Sequence, residues 1–240
     1  AAAKHLVPVT LELGGKSPAI VDRSADLALT ASRLAFGKLF NAGQTCVAPD
    51  YLLVPREMAE PLVQRILGEM RRLYPTVAGN PDYTSIVSPR HLARLQGLID
   101  DAAQRGARVL RSHVDQPDDR RLVPALLLDV PADATVMQEE IFGPLLPVVP
   151  YDQLDDALAH VNRGDRPLAL YWFGQDRAVR ERVMRETHAG GVTVNDCLWH
   201  LGQEEQPFGG VGASGMGAYH GEWGFRTFSK EKPLFIQSRF

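Results

Sequence analysis

Cys46 lies in Asn41-Ala-Gly-Gln-Thr-Cys-Val-Ala-Pro-Asp50, a stretch of small, polar and turn-forming residues. A cysteine thiolate is nucleophilic near neutral pH, and the backbone amides of such a stretch can face a reacting oxygen. Set against this, a lone cysteine is most often a small buried hydrophobe. The helix expected before it turns its negative end toward the loop, so the dipole does not favour a thiolate. Activation is left to local amides, a nearby base or a bound cationic cofactor. Glu12 is the second residue with chemistry to offer, flanked by Leu11 and Leu13 and followed by Gly14-Gly15. An exposed glutamate on an edge strand is the plain reading. The functional one is a carboxylate at a strand's end, partly desolvated, with a pKa raised into the range of a general base.

Other segments carry weaker signals. Glu139-Glu-Ile-Phe-Gly-Pro144 sets paired acids before an aromatic residue and a Gly-Pro turn, but adjacent side chains need not converge. Gly210-Val-Gly-Ala-Ser-Gly215 has the letters of the dinucleotide-binding fingerprint. Its context fails, because Gln203 to Pro207 is polar and the 25 residues after Gly215 are too few for a βαβ unit. Gly15-Lys16-Ser17 resembles the tail of a phosphate-binding loop, yet Thr10 stands where that loop needs its first glycine. Cys197 and His200 read as pocket lining or packing, and Gly190-Gly191 as a turn.

These residues need elements to hold them. Val9 to Leu13 alternates with period two and predicts a short strand. Leu27, Ala31, Leu34 and Ala35 predict a helix over 26–40, capped by Ser24 or Asp26 and stopped at Gly43. Further helices are expected over 57–73, 89–105, 152–161 and 176–187, with strands over 51–54, 122–130, 145–149, 168–173 and 191–194. Strands alternating with helices of this length predict an α/β fold around a mainly parallel sheet. Ligands then gather beyond the carboxyl ends of the strands. Residues 115–121 are expected to form a solvated loop.

Composition bounds the rest. At roughly 150 residues per domain, a chain of 240 residues is one large domain or two small ones. It is 45% hydrophobic and 23% charged, enough apolar material for a core without staples and unlike a disordered chain. Lys+Arg 26 against Asp+Glu 29 leaves no basic surplus for nucleic acid. Two cysteines in no zinc spacing favour a reducing, cytoplasmic compartment. Apolar runs fall far short of the roughly 18 residues of a membrane span, and no signal peptide is visible. Ala1 to Leu6 reads as the end of a helix begun elsewhere, so the start is expected to be a cut.

Four segments stand in one order: Leu11-Glu-Leu-Gly-Gly-Lys-Ser-Pro18, Gly43-Gln-Thr-Cys46, Glu139-Glu-Ile-Phe-Gly-Pro144, and Pro207-Phe-Gly-Gly210 through Ser214-Gly-Met-Gly217. Together they resemble the aldehyde dehydrogenase superfamily. Cys46-Val-Ala-Pro-Asp-Tyr51 and Gly215-Met-Gly-Ala-Tyr-His-Gly221 are similar to its class 3 branch, which includes fatty and coniferyl aldehyde dehydrogenases. The resemblance runs from Ala1 to about Lys232.

It implies a doubly wound, mainly parallel α/β sheet. Residues 1–13 would end a cofactor-binding domain that is otherwise absent, 14–222 form the catalytic domain, and 223–240 carry an oligomerisation strand at 225–235 that makes a homodimer. It implies Cys46 as nucleophile and Glu12 as general base. Glu140 and Phe142 would hold the ribose and ring of a nicotinamide cofactor, NAD or NADP, with Leu13 beside the ring. Asn195 and the 207–217 loop would shape the catalytic pocket. The implied reaction oxidises a small-molecule aldehyde to its acid through a thiohemiacetal and a thioester on Cys46, hydrolysed by water that Glu12 activates. Relatives that pass the acyl group to coenzyme A do not need that base, so Glu12 favours hydrolysis. Trp199, Tyr219, Trp223 and Phe225 hint at an apolar or aromatic aldehyde, with core packing as the plain alternative. Two other readings stay open: a cofactor-independent thiol esterase built on Cys46 and Glu12, and an inactive scaffold.

Overall fold

In the computed structural model, which describes residues 1–114, 117 and 119–238, the chain runs β1 Leu11–Glu12, β2 Pro18–Val21, α1 Leu27–Leu39, β3 Tyr51–Pro55, α2 Arg56–Leu73, α3 Pro89–Gln104, β4 Arg108–Arg111 and β5 Ala125–Leu128. It continues through α4 Thr135–Gln138, β6 Leu145–Tyr151, α5 Leu154–Arg163, β7 Ala169–Phe173, α6 Arg177–Glu186, β8 Gly191–Val194, β9 Gly215–Met216 and α7 Gly221–Thr227. Ala2–His5 form a single helical turn closed by Leu6 in a left-handed conformation. Of the loop expected over 115–121, residues 115, 116 and 118 lie outside the described residues.

Seven strands form one sheet in the order β4-β5-β6-β3-β2-β7-β8. Neighbours are parallel except the edge strand β4, which pairs antiparallel with β5. The winding runs from β2 through β3 toward β6, then returns across the sheet to β7 and β8, so the order reverses beside β2.

Side chains of the central strands alternate between two cores, as the pleat requires. Ala19, Val21, Leu52, Val54 and Tyr171 pack with α1, α2 and α3 on one face. Ile20, Leu53, Leu170 and Trp172 pack with α5 and α6 on the other. Helices on both faces make the sheet doubly wound, and burial on both faces explains its apolar strands. Asp26 caps α1 by accepting from the amides of Ala28 and Leu29, a contact worth about 1 kcal/mol.

The sequence reading missed β2, whose four residues are all buried, and β4. The strand expected over 225–235 is not seen in this single chain: residues 221–227 are helical, and no strand follows β9 among the described residues. A strand exists only against a hydrogen-bonding neighbour, and 228–238 lie exposed without one in this chain. No helix among the described residues is long and apolar enough to cross a membrane.

Candidate active site

The chemistry-bearing residues sit before strands rather than after them. Glu12 precedes β2, Cys46 precedes β3, and Glu140 and Phe142 precede β6. The candidate residues thus lie at the edge opposite to the carboxyl ends, where ligands were expected. At those ends, where the winding reverses, hydrogen bonds close the crevice. The amides of Gln175 and Asp176 donate to Ser24 Oγ (2.8 and 2.9 Å), and the amide of Gly174 donates to Asn195 Oδ1 (2.8 Å). Asn195 thus follows β8 at the edge opposite to Cys46, and its side chain is engaged with Gly174 rather than with the residues before β2 and β3.

The Cys46 loop is anchored at several points. Gln44 donates to the carbonyls of Asn41 and Ser85 (both 3.2 Å) and accepts from the amide of Val87 (2.8 Å). The buried Lys38 ammonium donates to Pro49 O at 2.9 Å, and the Tyr171 hydroxyl donates to Val47 O. Gly43 has φ +72°, and a Cβ there would lie 2.3 Å from Gly143 O, so the turn leading to Cys46 closes only on a residue without a side chain.

Held this way, Cys46 Sγ lies 2.9 Å from Glu12 Oε1 and donates to it. The other carboxylate oxygen, Oε2, accepts from the Tyr219 hydroxyl. Burial pushes the Cys46 thiol up to about 12, and the hydrogen bond and charge of Glu12 push the same way, while its own backbone amide opposes them. The resting sulfur is a thiol. Glu12 itself is exposed, in keeping with the plain reading of an edge-strand glutamate and not with a partly desolvated carboxylate.

The two adjacent acids diverge. Glu139 pairs with Arg94 at 2.7 Å, and Arg94 also binds the carbonyls of Glu140 and Ile141. Glu140 turns instead into a cavity of about 610 Å³ whose walls include Leu13, Gly15, Lys16 and Ser214. Burial raises the Glu140 carboxyl to about 7, with the Gly15 amide opposing. A Cβ at Gly14 would meet Glu140 Oε2 at 2.6 Å, so this approach also depends on glycine. Lys16 pairs with Asp50 and donates to Val136 O (2.8 Å) and Glu139 O (3.0 Å), while Asp50 accepts from the amide of Ile141 (2.9 Å). This network fixes the 139–141 segment.

Leu13 lines the same cavity and is 60% exposed. Phe142 is outside that lining: its ring meets His91 edge-on at 6.0 Å, and its carbonyl lies 2.7 Å from His91 Nε2. A carboxylate acceptor beside an exposed leucine suits a sugar diol joined to a flat ring, so these residues fit a nicotinamide riboside.

Glycines of the apparent fingerprint have another use. Residues 208 and 219 bridge antiparallel, and β9 pairs with β1 in the register Glu12↔Gly215. A Cβ at Gly210 would fall 2.0 Å from Ser214 O, so the glycine permits the tight loop that reaches β1. Cys197 and His200 are buried packing residues, and burial lowers His200 to about 4. Trp199, Trp223 and Phe225 are exposed and pack in no core of this chain. Sequence reasoning missed Lys38, Asp50 and Arg94, and took Tyr219 for an apolar wall. Lys38 was findable, because it lies four residues after the core residue Leu34 on the same helix face.

A family model described as the aldehyde dehydrogenase family matches residues 1–234. A probable coniferyl aldehyde dehydrogenase of Pseudomonas aeruginosa is 56% identical over 240 residues, covering 100% of this chain and 50% of that protein. Among solved structures, the substrate-bound state of Staphylococcus aureus AldH superposes with a TM-score of 0.92 at 45% identity, over 100% of this chain and 52% of that one. The NAD+ complex of an aldehyde dehydrogenase from Bacillus cereus superposes with a TM-score of 0.88 at 27% identity, over 99% and 49%. The chain spans about half the length of the curated relatives it matches.

Proposed function

The chain belongs to the aldehyde dehydrogenase family, and from that premise we propose that it carries the catalytic residues of an NAD(P)-dependent oxidation of an aldehyde to a carboxylic acid. The observation that supports this most is the 2.9 Å contact between Cys46 and Glu12, set beside the cavity into which Glu140 turns.

In the proposed reaction the Cys46 sulfur adds to the aldehyde carbon as a thiolate, its proton lost to solvent, so that the Glu12 carboxylate stays free for the later step. The Cys46 backbone amide faces its own side chain and is a donor for the oxyanion. A nicotinamide cofactor, when bound, supplies the hydride acceptor. Glu140 would hold its ribose and Leu13 would lie beside its ring, with Phe142 behind the segment that carries Glu140. Glu12 then removes a proton from water as it attacks the acyl carbon on Cys46, and the acid leaves. Residues 1–13 would close a cofactor-binding domain and 14–222 form the catalytic domain. The segment 223–240 would join two copies in a homodimer, through exposed apolar residues such as Phe225, Phe228 and Phe235. The name of the Pseudomonas relative and the exposed Trp199 favour an aromatic aldehyde.

The test is Cys46→Ala in the protein that carries this chain. Aldehyde-dependent reduction of NAD(P) is expected to vanish; native steady-state reduction would contradict the reading.

A further inference from the structure

We infer that Tyr219 is a positioning residue, whose hydroxyl fixes the Glu12 carboxylate so that one oxygen is held and the other faces the sulfur. This rests on the proposed reading of Cys46 and Glu12.

An exposed glutamate on a two-residue strand has three rotatable side-chain bonds and little packing to fix them. Yet its two oxygens have different partners from different parts of the chain: Oε1 accepts from Cys46 Sγ, and Oε2 from the Tyr219 hydroxyl, 207 residues away in sequence. Tyr219 is itself well placed to hold. Its amide and carbonyl both bond Phe208 at 2.9 Å. Its ring meets Phe208 edge-on at 5.7 Å and His220 at 4.9 Å. Phe208 is buried to 2% exposure and stands on the main core. Next to Tyr219 in sequence, β9 pairs with β1 and fixes the backbone of Glu12. The 208–219 loop therefore braces Glu12 twice, through its main chain and through its carboxylate. A general base works only within hydrogen-bond reach of its proton, so a carboxylate swinging on an exposed strand end would be a poor one.

The titratable groups facing Glu12 are Cys46 from the loop before β3 and Tyr219 from the 208–219 loop; Glu140, before β6, acts on Cys46 by its charge.

The decisive variant is Tyr219→Phe, which keeps the ring on Phe208 and removes only the hydroxyl. Aldehyde oxidation is assayed in the protein that carries the chain, with the initial burst of reduced cofactor separated from the later steady-state rate. In Tyr219→Phe the burst is expected at a near-native rate, and kcat about tenfold lower with KM little changed. A burst slowed as much as the steady state overturns the inference, as does a Tyr219→Phe protein that behaves as native while Tyr219→Ala fails. Native turnover in Glu12→Gln would instead remove the reading on which the inference rests.

Discussion

Cys46 Sγ and Glu12 Oε1 lie 2.9 Å apart across 34 residues of sequence, with the cysteine donating. The carboxylate that is proposed to activate water thus also holds the sulfur as a thiol at rest. Burial is the larger reason that Cys46 titrates at about 12, and Glu12 adds to it. Replacing Glu12 by Gln removes the added part, and each unit by which the thiol pKa falls raises the thiolate fraction about tenfold. Iodoacetamide should therefore alkylate Cys46 faster in Glu12→Gln than in the native protein at pH 8, followed by peptide mass mapping. A slower reaction would show that the contact does not suppress the thiolate.

Glu140 gives a pH signature of stability. Burial lifts its carboxyl from 4.5 to about 7 in the folded chain. Between those values the folded state keeps a proton that the unfolded state has released, so stability falls as pH rises through this window. The destabilisation is complete above pH 7 and absent well below pH 4.5. Glu140→Gln should raise the urea midpoint at pH 8, and the gain should shrink toward pH 5. An equal gain at both pH values would contradict the account.

Gly43→Ala tests the turn that presents Cys46. Its φ of +72° disfavours any side chain, and the new Cβ would lie 2.3 Å from a backbone oxygen that belongs to Gly143. The strain alone costs about 1 kcal/mol or more, and a chain of this size loses about 2–4 °C per kcal/mol. The thermal midpoint is expected to fall by at least that much. A change of under about 1 °C would mean that the loop closes without glycine.

Much of this was legible in the sequence because its cause is local. The α1 cap at Asp26 and the alternation of strands with long helices follow from spacing and turn chemistry. β2 escaped notice because a four-residue strand buried on both faces has no alternation to read. The site residues were named through a resemblance, but their arrangement depends on contacts between distant segments. The divergence of Glu139 from Glu140 is decided by Arg94, and the hold on Glu12 by Tyr219. Neither partner lies near its target in the chain. The residues proposed for the site lie at the amino rather than the carboxyl edge of the sheet, and at the carboxyl edge Ser24 and Asn195 make hydrogen bonds that no local pattern announces.

The central claim is that Cys46 is the nucleophile and Glu12 the base that releases the acid from it. Glu12→Gln leaves the sulfur free to react and removes the group that activates water, so the acyl group should stay on the enzyme. The most direct measurement is intact-protein and peptide mass spectrometry of Glu12→Gln, in the protein that carries this chain, after mixing with aldehyde and NAD(P). The account predicts one acyl group on Cys46, formed together with a burst of reduced cofactor and followed by slow turnover. An unmodified Cys46 with native turnover would contradict it.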